Sequence, residues 1–232
     1  TGHTGFKGSW LGMYLASLGA KLYGLSLESP VSDPSLFDLL MKASKGRIKD
    51  SDVIIIPIQY DLKIWWNKLA MFEKGFGGLK GQCLYFDLDI VIQKNIECFI
   101  KKQFHKIHCY WKNPDMVESD KEVKKRNTIN NSSIMSWTAN DEFLNEVWQE
   151  FIEEKEWFLE LYRGIDRYMD WEFPYLIKHY GRELVYSYRE GADWYTDTEP
   201  FTYRKNYHVC IFHQEPNITD CLDHPIVIEN WR

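Results

Sequence analysis

Hydrophobic positions change their spacing several times along the chain, and these changes predict an α/β protein. Short apolar runs typical of buried strands occur at Lys21–Leu27, Val53–Ile58, Leu184–Tyr188 and His208–Phe212. Apolar residues recur at helical intervals in four other segments, which are 9–18, 35–42, 62–72 and 140–162. Asn140 is the predicted N-cap of the last of these helices. The sequence therefore predicts a mixed, mainly parallel sheet flanked by helices.

One apolar run, Cys83–Ile92, is interrupted by two carboxylates, Asp87 and Asp89. Alternate residues of a strand share a face, so both side chains are expected to point the same way. Two like charges this close repel each other, and a divalent cation such as Mn²⁺ or Mg²⁺ relieves the repulsion through hard oxygen ligands. The same pattern also fits a strand end that emerges into solvent with both carboxylates hydrated.

A histidine lies in a comparable position much later in the chain. His213 directly follows the predicted strand His208–Phe212. From a strand end it is placed to complete a carboxylate–carboxylate–imidazole site with Asp87 and Asp89, so the three side chains are predicted to converge. The alternative is a histidine that forms ordinary polar contacts.

Composition narrows the classes of function. The 232 residues include 28 Lys+Arg and 34 Asp+Glu, a formal charge of −6, and this argues against binding nucleic acid through phosphate neutralisation. No run approaches the ~18 apolar residues of a membrane span. The five cysteines form no C-x-x-C pair and no signal-peptide pattern is present, which predicts reduced thiols and a cytoplasmic location. Aromatic residues reach 16 %, which suits either an aromatic core or stacking on sugars and bases.

Residues 52–232 resemble metal-dependent glycosyltransferases of the GT-A fold. The likeness rests on motifs in a fixed order: WWNKL at Trp65–Leu69, LYFDLDIVI at Leu84–Ile92, NNSSIM at Asn130–Met135, GIDRY at Gly164–Tyr168, and residues 212–231. Residues 51–232 are accordingly predicted to form a GT-A-like catalytic region.

The resemblance implies roles for individual residues. Asp87 and Asp89 would hold Mn²⁺ or Mg²⁺ and the diphosphate of a nucleotide-sugar donor, with His213 as a further ligand. Substrate would be bound by four residues, Trp66, Lys68, Asn131 and Ser132, of which Lys68 would lie near the phosphates. Asp166 would be the catalytic carboxylate, which orients or deprotonates a hydroxyl of an unknown glycan or other acceptor.

Alternatives remain open for parts of this assignment. Asp166 would equally suit a salt bridge with Arg163 or Arg167. Gln214 and Asn217 stand where the family pattern has Gly and Lys, and a missing Lys weakens neutralisation of the leaving diphosphate. A non-catalytic protein that binds a nucleotide or a glycan is therefore the alternative function.

The start of the chain resembles a different family. TGHTGFKGSWL at Thr1–Leu11 is similar to nucleotide-sugar dehydratases of the CDP-glucose 4,6-dehydratase type. Residues 1–50 are predicted to be a Rossmann-like βαβ fragment, in which Gly2, Gly5 and Gly8 would let a cofactor pyrophosphate approach the helix N-terminus. No tyrosine is followed by lysine four residues later, so NAD(P)-dependent dehydratase chemistry is the least favoured function.

Overall fold

The structure is a computed structural model that describes residues 22–26, 53–57, 60, 62, 64–117 and 128–230. The chain divides into two compact units, residues 1–63 and 64–232. Within the described part of the first unit, strand β1 (Leu22–Ser26) pairs in parallel with β2 (Val53–Pro57). The predicted helices at 9–18 and 35–42 lie outside the described residues, and the predicted boundary at residues 50–51 stays a prediction.

The second unit contains two sheets. Its described strands are β3 (Gln82–Phe86), β4 (Ile90–Ile92), β5 (His105–His108), β6 (Asn130–Thr138), β7 (Lys178–His179), β8 (Val185–Ser187) and β9 (Val209–Ile211). The four-stranded sheet has the order β3-β6-β5-β7, and the three-stranded sheet has the order β4-β9-β8. Among the described strands of both units, three pairs are parallel and three antiparallel. The predicted mixed α/β fold is confirmed, although parallel pairs do not predominate in this part of the chain.

Helices surround these sheets. The α-helices are α1 (Glu142–Glu153), α2 (Lys155–Leu161), α3 (Ile165–Glu172) and α4 (Pro225–Asn230). The 3₁₀ segments are Ile64–Phe72, Phe76–Gly78, Glu97–Phe99, Pro114–Val117, Pro174–Leu176 and Ile218–Cys221. In the described residues, no helix is both long and apolar enough to cross a membrane.

The long helix expected over residues 140–162 is split in two at Glu154. Its N-cap is Asp141, whose carboxylate accepts from the Leu144 N–H at 3.1 Å. Asn140 was the wrong cap residue. It adopts a left-handed backbone with φ of 61° and its side-chain oxygen accepts from the Gly75 N–H at 2.7 Å instead. Asparagine tolerates this left-handed conformation better than most residues do, so the chain can turn at Asn140 immediately before the helix begins.

Strand β6, the longest described strand, was not predicted. Its sequence, NNSSIMSWT, is polar at positions that are nevertheless buried, including Ser132, Ser133 and Ser136. The β5–β6 register shifts between Lys106, which faces Met135, and its neighbour in β5. Such an irregularity re-aims side chains out of the regular alternation. Since buried positions of β6 carry serines rather than apolar residues, the sequence shows no hydrophobic period there.

The core between these elements is rich in aromatic rings. Trp66 is buried on the segment Ile64–Phe72 and stacks on Phe151 of α1, with ring centroids 5.0 Å apart. Tyr168 of α3 completes the contact at 6.0 Å from Trp66. Ring pairs at such separations add to the free energy of burial. This packing fixes the segment Ile64–Phe72, and with it Trp65 and Lys68, against α1 and α3.

Candidate functional site

The two aspartates of the D-x-D motif join the two sheets. Asp87 follows β3, and its backbone N–H donates to the Ser133 carbonyl of β6 at 2.8 Å. Asp89 precedes β4, and its carbonyl accepts from the Phe212 N–H at 2.7 Å. The chain around Asp89 therefore lies beside the segment that leads into His213, as strand pairing of β4 with β9 requires.

Lys68 neutralises Asp87. The Lys68 ammonium lies 2.6 Å from Asp87 Oδ2, and the Tyr85 hydroxyl donates to Asp87 Oδ1 at 2.6 Å. Lys68 is buried and also donates to Ser132, to Oγ at 3.2 Å and to the carbonyl at 3.3 Å. Three residues singled out in the sequence, Lys68, Asp87 and Ser132, thus lie in direct contact, and a cation already faces the first aspartate.

His213 contacts a different set of groups. Its Nε2 lies 2.9 Å from Ser187 Oγ and 3.5 Å from Glu190 Oε1. Burial lowers the pKa of His213 to about 4, helped by nearby Lys112 and Arg189, so the imidazole is neutral at pH 7 and able to ligate. In the described part of the chain, no three His, Cys, Asp or Glu side chains form a group that could hold a metal ion. The three-ligand site stays a prediction.

A buried lysine that the sequence analysis did not single out lies at the centre of the site. Lys106 of β5 is 1 % exposed, and its ammonium lies 2.8 Å from Asp166 Oδ1 and 3.6 Å from Asp170 Oδ1. Burial alone would lower the pKa of Lys106, but the two carboxylates outweigh it and raise the pKa. Lys106 is therefore a permanent positive charge between two residues of α3.

The two carboxylates beside Lys106 have opposite environments. Burial would raise the pKa of Asp166, but Lys106, with Lys68 and Lys112, outweighs it and holds the pKa below its usual range. Burial raises the pKa of Asp170 despite the opposing effect of Lys106. Asp166 is consequently a stable anion at neutral pH.

Asp170 is held by further polar groups behind the site. It accepts hydrogen bonds from Thr128 Oγ1 and, at 2.6 Å, from Asn130 Nδ2. The other end of the Asn130 amide meets His179 Nε2 at 2.6 Å. These contacts tie α3 to β6 and β7, and so fix the position of Asp166 one turn earlier.

Asp166 lines a cavity of about 770 Å³, a size that suits a small ligand. Three tryptophans contribute to its wall, Trp65, Trp111 and Trp194. Trp65 is 46 % exposed, and its indole N–H donates to the Arg163 carbonyl at 3.0 Å. A Cβ on the next residue, Gly164, would lie 2.3 Å from Trp65 Nε1, so only glycine lets the ring approach this closely.

The structure also places the remaining residues predicted for the site. Trp66 lies in the aromatic core, whereas its neighbour Trp65 lies at the cavity wall. Asn131 Oδ1 accepts from the Ser133 N–H at 2.7 Å. Gly2, Gly5 and Gly8 lie outside the described residues. Asp166 forms its ion pair with Lys106 rather than with either of the arginines considered from the sequence.

The two departures from the family pattern have local structural roles. Gln214 lines the cavity, and its Oε1 accepts from Arg189 Nη1 at 2.8 Å. Asn217 caps the segment Ile218–Cys221 reciprocally with Asp220, whose carboxylate accepts from the Asn217 N–H at 2.8 Å. Neither side chain supplies the positive charge of a lysine.

The two sheets and this site define a fold of the GT-A type. Two solved structures of the galactosyltransferase LgtC resemble the chain. One, in complex with donor and acceptor sugar analogs, has a TM-score of 0.59 and 11 % identity, and covers 94 % of this chain and 88 % of that chain. The other, an active-site mutant, has a TM-score of 0.52 and 11 % identity, over 90 % of this chain and 84 % of that chain. At this identity the likeness is one of fold.

The sequence comparison concerns the other end of the chain. An N-terminal fragment matches CDP-glucose 4,6-dehydratase of Salmonella typhimurium at 47 % identity over 55 residues, which is 22 % of this chain. The match spans only 15 % of that enzyme's length. No family model matches the chain.

Proposed function

We propose that the protein transfers a sugar from a nucleotide-sugar donor to an acceptor hydroxyl. The observation that carries the proposal is a continuous polar connection between the D-x-D motif and the cavity. Asp87 contacts Lys68, Lys68 donates to Ser132 Oγ at 3.2 Å, and Ser132 Oγ lies 3.4 Å from Asp166 Oδ2 at the cavity wall. A donor at one end and an acceptor at the other would meet along this line. The GT-A-type fold supports the same function.

In this proposal Lys68 binds the donor diphosphate. Its ammonium is held by Asp87 and Ser132, so it is oriented before a substrate arrives and needs little rearrangement to meet a phosphate. When the sugar leaves, the bond between its anomeric carbon and the phosphate oxygen breaks and negative charge builds on the diphosphate. A fixed cation stabilises that charge more than it stabilises the bound substrate.

Asp166 orients the acceptor in this proposal. Its low pKa makes it a weak proton acceptor at neutral pH, since an efficient general base has a pKa close to the working pH. As a fixed anion it accepts a hydrogen bond from the attacking hydroxyl and aims the oxygen at the anomeric carbon. As the new C–O bond forms, the hydroxyl proton passes to the phosphate oxygen of the leaving diphosphate, whose bond to the anomeric carbon breaks. Trp65 and Trp194, which are both exposed at the cavity wall, offer ring surface on which the C–H groups of a sugar can pack.

The donor set near the D-x-D motif has the chemistry for Mn²⁺ or Mg²⁺. The Lys68 ammonium beside Asp87 marks a position where the protein stabilises positive charge. Asp87 and Asp89, with neutral His213, would hold the ion. A bound ion would neutralise the leaving diphosphate.

The test is release of nucleoside diphosphate from UDP-, GDP- and CDP-sugars, with Mn²⁺, Mg²⁺ or EDTA. We expect release from one donor class, and a loss of at least ~100-fold in the double variant Asp87→Ala, Asp89→Ala. Lys205→Gln, whose exposed side chain pairs with Glu229, is the matched control and should retain full activity. Activity that is unchanged in EDTA would refute the metal role.

A second function is favoured by one observation: Asn217, at the position of the family's lysine, is used for capping. In this alternative the protein binds a nucleotide or a glycan without turnover. Calorimetry distinguishes the two. Donor binding with no release of diphosphate over long incubation would support the binding protein and contradict the transferase.

A further inference from the structure

Cationic side chains predominate at the wall of the cavity. Lys112, Arg163 and Arg167 line it, against the two carboxylates Asp166 and Glu190. Behind the wall, Lys106 pairs with both Asp166 and Asp170 and does not line the cavity. Among the described lining residues, three cations face two carboxylates, which leaves one net positive charge at the cavity wall.

Arg163 is the most accessible of these cations. Its side chain is exposed, and no carboxylate in residues 64–117 or 128–230 forms an ion pair with its guanidinium. Its backbone carbonyl accepts from Trp65 Nε1 at 3.0 Å, so the guanidinium and a tryptophan ring are carried by neighbouring parts of the wall. An arginine beside an aromatic ring suits a ligand that joins an anionic group to a sugar ring.

The cation assigned to the donor diphosphate is elsewhere. Lys68 does not line the cavity and connects to it through Ser132 and Asp166, whereas His213, a proposed metal ligand, lies 3.5 Å from Glu190 of the cavity wall. The cations of the cavity are thus separate from the cation that would meet the diphosphate.

We infer that the cavity binds the acceptor and that this acceptor is an acidic glycan, one that carries a carboxylate on or next to the sugar that receives the transfer. Arg163 recognises the carboxylate, Trp65 and Trp194 pack against the sugar ring, and Asp166 accepts a hydrogen bond from the acceptor hydroxyl. This inference rests on the proposed transferase function, because it names the substrate class of that site.

The experiment compares two disaccharides that differ at one carbon, one ending in glucuronic acid and the other in glucose. Affinity is measured by calorimetry and by tryptophan fluorescence, without donor. We expect the acidic disaccharide to bind at least tenfold more tightly, with an advantage that shrinks as salt is raised. Arg163→Gln should remove most of the advantage while leaving the backbone contact with Trp65 in place. Lys205→Gln, remote from the cavity wall, is the control and should bind as wild type does.

The outcomes distinguish an anionic donor from an anionic acceptor, and they test the acidic-glycan site separately from the transferase function. Equal affinity for the two disaccharides would overturn the inference, as would competition between UDP and the acidic disaccharide, since the cations would then serve the donor. Tight binding of the acidic disaccharide with no release of diphosphate from any donor would support an acidic-glycan site and contradict the transferase. Release of diphosphate from a donor, with no preference for the acidic acceptor, would support the transferase and contradict the acidic-glycan site.

Discussion

The two sheets of the second unit differ in the charged groups that their strands bury. The four-stranded sheet buries charge: Lys106 of β5 is 1 % exposed and lies between Asp166 and Asp170. The three-stranded sheet buries aromatic and aliphatic groups, and its cluster includes Phe212, stacked on Tyr188 with centroids 4.3 Å apart.

The difference indicates that the four-stranded sheet carries the charged groups of the candidate site, whereas the three-stranded sheet mainly stabilises the fold. Buried ion pairs contribute little net stability compared with apolar side chains of the same volume, because desolvation offsets the attraction. The four-stranded sheet therefore carries charges that stability does not require, and these are the charges beside the cavity. The three-stranded sheet holds the segments that lead to Asp89 and His213 in place.

The largest expected change in the free energy of unfolding is in the three-stranded sheet. Phe212→Ala removes a fully packed ring next to Tyr188 and should lower the free energy of unfolding by about 3–5 kcal/mol, because the surrounding side chains cannot fill the space. Urea denaturation of the purified variant measures this. If the loss is below about 1 kcal/mol, the three-stranded sheet does not depend on its apolar packing.

A loss of similar size is expected in the charged sheet, from a different cause. Lys106→Met leaves Asp166 and Asp170 close together without their cation and should cost about 3–5 kcal/mol. Removing the whole charged group, with Asp166→Asn and Asp170→Asn added, should recover part of this loss of stability. A triple variant less stable than Lys106→Met would show that the ion pairs themselves stabilise the sheet.

Acid should weaken the charged sheet through its histidines. Burial, with His179 nearby, lowers the pKa of His108 to about 4 from an ordinary value of about 6.5. Because the folded state disfavours the protonated ring, stability is highest above pH 6.5 and falls as the pH drops toward 4. The full shift corresponds to about 3 kcal/mol, and solvent around this half-buried ring reduces the expected loss to about 1–2 kcal/mol.

His108→Phe tests that contribution, since phenylalanine keeps the stacking on Tyr110. Denaturation curves at several pH values between 4 and 7.5 should show a shallower acid slope than wild type, with similar stability at pH 7.5. An unchanged slope would assign the acid sensitivity to other groups.

The smallest effect on stability is expected at the cavity wall. Gly164→Ala places a methyl group against the partly exposed Trp65 ring, which must move. We expect less than about 1 kcal/mol of destabilisation, together with a clear loss of glycan affinity measured by calorimetry. Retained affinity would show that the position of Trp65 does not matter to the ligand.

Part of the fold was predictable because its signals are local. The apolar runs at Val53–Ile58 and His208–Phe212 correspond to β2 and β9. The single run predicted over Cys83–Ile92 is instead divided at the two aspartates into β3 and β4, which belong to different sheets, so the aspartates do not share one strand face. Strand β6 was missed because its buried positions carry serines. These serines form hydrogen bonds with residues distant in the chain. A hydrophobic pattern contains no information about such contacts.

The candidate site divides in the same way. The sequence alone determined which chemical groups are available: the D-x-D pair, Lys68, Ser132, Asp166 and His213. Only the tertiary structure decided their partners, because ion pairs form across 19 residues between Lys68 and Asp87 and across 60 between Lys106 and Asp166. It also decided that Trp65 rather than Trp66 lies at the cavity wall, since adjacent residues face opposite environments once the segment packs on Phe151. Residue type is a property of the chain, whereas charge balance and accessibility arise from what folding brings alongside.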